Sequence, residues 1–517
     1  MQNRRLLALW LMAASVLVWV PGGYSRFVLA KLLLVALAAT IGATVPRDGR
    51  LPRPVVIGLS IGTLLLVVAA LAGDTPVASL LGRFPRYEGL PVLGLYVAAA
   101  WLGARIGGRG AARAVQLGHA LSGMAVVLAA FALLDLGDAS PLGPSTLARS
   151  GSVLGNATDQ GLVAMMATLV VAGAIEVRRD GLLLAGLAGG VIAVAASGSR
   201  VAMMLTALGL IGLAVRRRRL RRAALLGVAG LVVVAVAVPD TRERLLSSAT
   251  GRGRLEQWQL TLDLVRDHLL LGIGPSRYVD AVGRYETPEF VAFTGQRTFA
   301  DSPHDVLLQA AVAGGLPLLA CFVVLVVLVV RRGLAVTRNH PEAFGVLAAV
   351  AAYGIGVLAN PTSAGPTCLA AFLTGVLVAE PAPMPEEPRV RRPRIAVLAA
   401  AVVVVAACCI GEVLLGQGVD AARTGREDEA RSGIEAAQRW RPWDPDVALV
   451  GAEASVSIDP EHARELANRS LRSTPDSYEA LVTLALAELQ LGDKEAARGH
   501  LDRAAQLFPQ RHLPSGL

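Results

Sequence analysis

The chain has 517 residues, 54% of them hydrophobic and only 17% charged, with a mean hydropathy of +0.54. A soluble globular protein carries about 25% charged residues and no long uncharged runs, so that class is excluded. The formal net charge of +9 does not point to nucleic acid, because the arginines punctuate apolar runs and mark the side of a membrane on which each loop lies.

A hydrocarbon layer about 30 Å thick needs roughly 17–25 apolar residues per spanning helix. Such runs lie near 6–20, 27–44, 55–72, 89–104, 115–136, 160–175, 181–197, 201–215, 223–239, 306–330, 343–358, 365–379 and 395–416. The first follows Arg4-Arg5. Val18-Trp-Val-Pro-Gly-Gly23 offers no small-x-small cleavage pattern, so this run is read as an uncleaved first helix rather than a signal sequence. With a cytoplasmic N-terminus, the segments 1–5, 45–54, 105–114, 176–180, 216–222, 331–342 and 380–394 fall inside and hold 23 arginines, among them Arg216–Arg219. The short outer loops hold Arg26, Arg83, Arg86, Arg149 and Arg200. That asymmetry is the positive-inside rule, and it fixes the expected orientation. Cys321, Cys368, Cys408 and Cys409 all lie in apolar runs and suggest neither a disulfide framework nor a zinc site.

Four polar elements then share the outer face. The loop Leu81-Gly-Arg-Phe-Pro-Arg86-Tyr-Glu88-Gly89 comes first, followed by Arg149 to Gln160 and the tight turn Ser197-Gly-Ser-Arg200. Arg86 or Arg149 can snorkel at a helix end, but the turn at Arg200 is too short to serve as a topology signal, and ionisable groups pinned at membrane depth line polar cavities. The fourth element is the polar stretch from Pro239 to Pro303, the one long interruption of the first 416 residues. Within it Leu255, Trp258, Leu262 and Val265 fall on one stripe of a helix expected to lie on the membrane surface, with Arg254 off the stripe and facing the outer vestibule. Arginine suits that place because its planar fork binds phosphate oxygens bidentately. Trp258 is read as packing, with stacking on a sugar as the alternative. Leu271-Gly-Ile-Gly-Pro-Ser breaks the helix. His304 stands where the chain re-enters the bilayer, flanked by Asp301 and Asp305, either of which is expected to orient the imidazole and raise its basicity. No carboxylate cluster in the outer loops offers a divalent-metal site, so neither metal nor cofactor is expected.

From about Asp420 the composition turns charged and Ala-rich. Pro442, Pro475 and Pro509 recur at spacings of 33 and 34, each of the last two preceded by similar text, a period that resembles tetratricopeptide repeats. The expected organisation is an all-α polytopic bundle of about 12–13 spans over 1–416. It contains a large extracytoplasmic loop (240–304), a Pro/Arg-rich cytoplasmic linker (380–394) and a small helical repeat domain (418–517). The repeats act either as a scaffold for a protein or glycan or as a stability cap.

In order, these elements resemble the O-antigen ligase and polymerase superfamily of bacterial membrane glycosyltransferases. Gly82 to Gly89 matches a Gly-x-x-x-Arg-x-x-Gly loop, Gly155-Asn156 a Gly-Asn element, and Ser197 to Arg200 a Ser-x-Ser-Arg element. Arg254-x3-Trp258, Asp267 to Gly274, and His304-Asp-Val-Leu-Leu complete the series, with Leu269 where proline is usual and Asp305 where asparagine is usual. The resemblance covers roughly 75–380. It implies transfer of a glycan from a polyprenyl-diphosphate donor to a glycan, lipid or wall-polymer acceptor on the outer face of the cytoplasmic membrane. Arg200, Arg254 and Arg86 would bind the diphosphate and His304 would serve as general base, supported by Asp301, Asp305 and Trp258. The rival is a transporter or flippase of lipid-linked glycans, which calls for ionisable or broken positions at the midplane of several spans.

Overall fold

Apolar runs crossing lipid must satisfy every backbone polar group internally, and helices are the way a single run can do so. The computed structural model describes residues 2–142, 150–216, 221–237, 249–296, 299–382 and 388–513. Arg149, Arg217–Arg219, the start of the long polar stretch at 239–248 and part of the linker at 383–387 lie outside the described residues.

A helix occupies each of the apolar runs. The first ten helices in chain order are α1 (Gln2–Ala14), α2 (Leu29–Thr44), α3 (Arg53–Ala72), the short α4 (Pro76–Leu81), α5 (Leu90–Ile106), α6 (Ala111–Leu136), α7 (Ala157–Val177), α8 (Gly181–Ser197), α9 (Arg200–Arg216) and α10 (Arg221–Ala237). The polar stretch forms α11 (Ala249–Asp267), α12 (Tyr278–Ala281) and α13 (Pro288–Thr294). Then come α14 (Val306–Asn339), α15 (Phe344–Gly356), α16 (Ala364–Val378) and α17 (Pro388–Arg423). Among the described residues five helices (α3, α6, α7, α14 and α17) are long and apolar enough to cross a membrane, and α2, α5, α8, α15 and α16 are shorter apolar helices. The chain is an all-α polytopic membrane protein.

α7 is apolar on every side and buried on every side, which makes it the centre of the bundle. α6, α8, α9 and α15 pack around it. Small residues let the backbones close up: a Cβ on Gly186 would lie 2.1 Å from Ser122 Oγ, and one on Gly173 would lie 2.9 Å from Gly345 Cα. The Gly155-Asn156 element starts α7, with the Asn156 side chain accepting from Thr158 N at 2.8 Å.

α14 joins the two ends of the molecule. Near its C-terminal end, the two-residue pairing of β1 (Gly49–Arg50) with β2 (Glu380–Pro381) is ringed by arginines: Arg50 and Arg332 face Glu380, while Arg5 and Arg113 face Asp48. Near its N-terminal end lie the polar loops. Between them α14 is broken at Gly314 and Gly315, which leave helical geometry. In lipid the groups freed by such a break must find new partners. The turn after α11 supplies them: Leu316 N donates to Leu269 O at 2.8 Å, and Ile273 N donates to Val312 O at 2.8 Å. The approach admits only glycine, since a Cβ on Gly315 (φ +68°) would lie 2.5 Å from the Leu270 carbonyl carbon, and one on Gly272 (φ +64°) 2.3 Å from Val312 O. Leu269, standing where proline is usual, thus acts through its carbonyl oxygen.

The last apolar run continues without a break into the soluble part as α17, so the linker from 388 onward is helical rather than a loop. The chain then forms α18 (Glu427–Trp440), α19 (Pro445–Ser455), α20 (Pro460–Ser473), α21 (Tyr478–Gln490) and α22 (Lys494–Leu507). α18 packs on α17, α20 on α19 and α22 on α21, and Pro442, Pro475 and Pro509 each stand two residues beyond a helix end. The module docks on the polar loops through buried ion pairs. Arg83 meets Asp280 and Asp446 at 2.7 and 2.8 Å. Arg441 bonds Glu412, Asp444 and the Tyr87 hydroxyl, and Arg511 bonds Glu286. Phe508 packs edge-on against Phe299.

Candidate functional site

The loop from Gly82 to Gly89 is pinched at its neck. A Cβ on Gly82 (φ +90°) would lie 2.5 Å from Gly89 N, so the ends touch and the residues between project outward. Arg86 reaches across to the far side. Its guanidinium bonds Asp301 at 3.0 Å and the Thr362 carbonyl, and its Nε is buried without a partner. Burial works against the charge of Arg86, but Asp301 and Glu88 outweigh it and the pKa is raised. Glu88 is a hub: its carboxylate accepts from Tyr96 Oη at 2.9 Å, Gln309 Nε2 at 2.7 Å and Thr362 Oγ1 at 2.8 Å.

α11 contributes the facing wall. Arg254 donates from Nη2 to Asn360 Oδ1 at 3.1 Å, while its Nη1 is buried without a partner. Burial alone lowers its pKa. One turn on, Gln257 Nε2 donates to Ser302 O at 2.6 Å and lies 3.2 Å from His304 Nδ1. The inward face of this helix is Gln257, Leu260, Thr261, Leu264 and Val265. Of the expected surface stripe, Leu255 and Leu262 are 58% and 43% exposed, on the side away from the protein, while Trp258 and Val265 are partly or wholly covered by it. On the protein-facing side, polar Gln257 and Thr261 are buried because each has a partner, Thr261 Oγ1 lying 2.8 Å from Tyr278 Oη.

His304 sits between the two arginines with a left-handed backbone (φ +56°). Both contacts of its ring fall on Nδ1, 3.1 Å from Ser302 O and 3.2 Å from Gln257 Nε2. A proton on Nδ1 given to the Ser302 carbonyl leaves the lone pair on Nε2. Burial lowers the pKa of His304; Asp301 opposes that, and Arg86 and Arg254 reinforce it, so the imidazole is held neutral. Neither flanking aspartate orients the ring. Asp305 caps α14, accepting from Leu307 N and Leu308 N at 2.8 and 2.9 Å, a task its carboxylate performs as well as the usual asparagine. Asp301 turns to Arg86. Trp258 has its indole Nε1 buried without a partner.

Arg200 opens α9. Its neighbour Val201 lies 3.9 Å from where a Cβ on Gly356 would stand, and the Gly356 carbonyl accepts from Asn360 Nδ2 at 2.7 Å. The turn that carries Arg200 is thus beside the Arg254–Asn360 pair, while the charged neighbours acting on His304 are Asp301, Arg86 and Arg254. His268 and Asp267 have local partners: His268 Nδ1 lies 3.0 Å from Leu264 O in the preceding helical turn, and Asp267 accepts from Tyr285 Oη at 2.7 Å.

Behind the polar groups a cavity of about 950 Å³ runs between α3 and α14 on one side and α5, α15 and α16 on the other. Its walls are apolar, including Val55, Leu59, Val97, Phe322 and Leu347; Arg86, Glu88, Asp301, Gln309 and Thr362 close one end. Among the described residues no group of three His, Cys, Asp or Glu side chains could hold a metal ion. Glu88, Gln257, Asn360 and Thr362 were not singled out from the sequence. Asn360-Pro-Thr-Ser363 is nevertheless a tight polar turn between apolar runs, the same signal that marks Arg200.

A family model described as O-Antigen ligase matches residues 184–323. The match includes Arg200, Arg254, Trp258 and His304 and supports the O-antigen ligase superfamily for that stretch; it leaves out Gly82–Gly89 and the C-terminal helices. No curated protein matches the chain, and no solved structure matches it.

Proposed function

We propose that this protein transfers a glycan from a polyprenyl-diphosphate donor to an acceptor hydroxyl at the outer face of the cytoplasmic membrane, as a ligase or polymerase of surface polysaccharide. One observation carries the reading. Arg86, with a buried guanidinium nitrogen lacking a partner, lines the polar end of an apolar cleft beside Asp301, Ser302 and Pro303, and the chain continues there into a neutral His304 whose other cationic neighbour, Arg254, also keeps a buried unpartnered nitrogen. An amphiphile with an anionic head and a long hydrocarbon tail is the ligand such a shape suits. The arginine asymmetry supports an orientation with the ringed pairing of β1 and β2 in the cytoplasm and the cleft's polar end outside.

In this reading the polyprenyl tail lies in the cleft and the diphosphate faces Arg86 and Arg254, with Arg200 as a further cation from the neighbouring turn. The acceptor oxygen attacks the anomeric carbon as His304 Nε2 takes its proton. The bond from that carbon to the diphosphate oxygen breaks with inversion, and polyprenyl diphosphate leaves with its charge held by the arginines. Asp301 keeps Arg86 in place, Asp305 fixes the helix start behind His304, and Trp258 offers its indole N–H. The C-terminal helix pairs are read as tetratricopeptide-like. A transporter reading loses support because, among the described residues, the buried charged groups of the membrane helices, Arg5, Lys31, Arg105, Asp135 and Glu412, stand near the ends of α1, α2, α5, α6 and the last apolar run rather than at midplane.

The test is a purified protein given a lipid-linked oligosaccharide and acceptor without nucleotide. Consumption of the donor is expected, and His304→Ala should lower turnover by about 10²–10⁴-fold with donor binding retained. No consumption by the wild type with any acceptor class would refute the function. Wild-type turnover in His304→Ala would refute the base. Product length against product attachment separates polymerase from ligase.

A further inference from the structure

Arg83 and Arg86 stand three residues apart in one pinched loop and face opposite ways. Arg86 points to Asp301 and Thr362. Arg83 is 4% exposed and fully engaged: its Nη1 bonds Asp280 at 2.7 Å, while its Nε and Nη2 bond Asp446 Oδ1 at 2.9 and 2.8 Å. The second oxygen of Asp446 accepts from Phe84 N at 2.7 Å. On the other side of Arg86, the Tyr87 hydroxyl accepts from Arg441 Nη2 at 2.9 Å. The C-terminal module therefore grips residues 83, 84 and 87, and between them lie Pro85 and Arg86, the latter turned to Asp301 and Thr362 with its charge acting on His304. Asp446 begins α19 and Arg441 follows α18, so both grips come from one inter-helix bend.

We propose that Arg83 is a positioning residue, and that the C-terminal module acts through Asp446 and Arg441 to hold the 82–89 loop so that Arg86 keeps its place in the donor site. This rests on the donor reading of Arg86 above. A grip made only for stability would not need both faces of the same turn, nor a carboxylate shared between a side chain and the adjoining backbone N–H. Charge-assisted bonds of this kind are short and directional, which suits them to fixing a loop.

The experiment uses the full chain carrying Asp446→Asn, Asp446→Glu, Arg83→Gln and the double variant Arg83→Gln/Asp446→Asn. Amide exchange over 82–89 and the Kd for a short-chain polyprenyl diphosphate are read in each variant that retains the wild-type unfolding profile. Asp446→Asn is expected to speed exchange over 82–89 and to raise Kd about tenfold, with kcat changed less than KM. Asp446→Glu should recover part of that loss, and the double variant should be no worse than the worse single one, the signature of a direct pair. Unchanged exchange over 82–89 in folded Asp446→Asn overturns the proposal, as does faster exchange with an unaltered Kd. If the wild type itself does not bind the probe, the donor reading fails, and the exchange measurement alone decides whether the loop is clamped.

Discussion

Two regions of this molecule are built from arginine, and they use it in opposite ways. Where the C-terminal module meets the loops, Arg83, Arg441 and Arg511 are buried and each is neutralised by carboxylates. Around His304, Arg86 and Arg254 are also buried in part, yet each keeps a guanidinium nitrogen without a partner. Burying a donor unpaired costs free energy that folding alone does not recover. The first region is satisfied within the protein; in the proposed function the unpartnered nitrogens of the second meet the oxygens of the donor. The difference lies in the partners and not in the residue type.

Each side of that contrast can be broken. Glu286→Ala leaves the fully buried Arg511 without its carboxylate and should destabilise the docked module by about 3–5 kcal/mol, read by thermal unfolding in detergent. Arg254→Gln should leave the unfolding profile near wild type but lower kcat/KM by about 10²–10³-fold, since it removes a preorganised donor rather than a structural pair. Gly315→Ala forces a left-handed residue against Leu270 and should cost about 1–3 kcal/mol of stability. A smaller effect sharpens the electrostatics. The lowered pKa of His304 keeps the base neutral, so activity should fall only as pH drops below about 6.5. Residual activity of Arg254→Gln should lose its acid limb at a higher pH, because removing a cation favours the imidazolium, whereas Asp301→Asn should move that limb lower. Arg266→Ala removes an exposed pair with Asp263 and should change stability by no more than about 0.5 kcal/mol.

The membrane helices were legible because a run of 20 residues such as Arg53–Ala72 allows one conformation in lipid. His304, Arg254 and Arg86 were legible as charges beside a bilayer, where a charge needs a reason. Gln257, Asn360 and Thr362 were not, because an uncharged polar residue near an interface carries no comparable cost and so no comparable signal. Asp446 and Arg441 were hidden differently. In a charged helical module they look like a solvated surface, and only the fold shows that the surface is covered. Asp305 was misread as a partner of the neighbouring imidazole; its place one residue before α14 also fits a cap, and the backbone N–H groups of Leu307 and Leu308 took it.

α17 crosses the boundary between lipid and water as one rod. At about 1.5 Å per residue its 36 residues exceed a hydrocarbon layer of about 30 Å by a wide margin. Glu412, about two-thirds of the way along that rod and wholly shielded, takes Arg441, and its Oε2 accepts from Ser25 N at 2.7 Å. The depth at which the last span rides therefore sets the height of the bend that grips Tyr87 and Phe84. Spans tilt or shift to match bilayer thickness, so a series of lipids of increasing chain length asks whether amide exchange over 82–89 follows the rod.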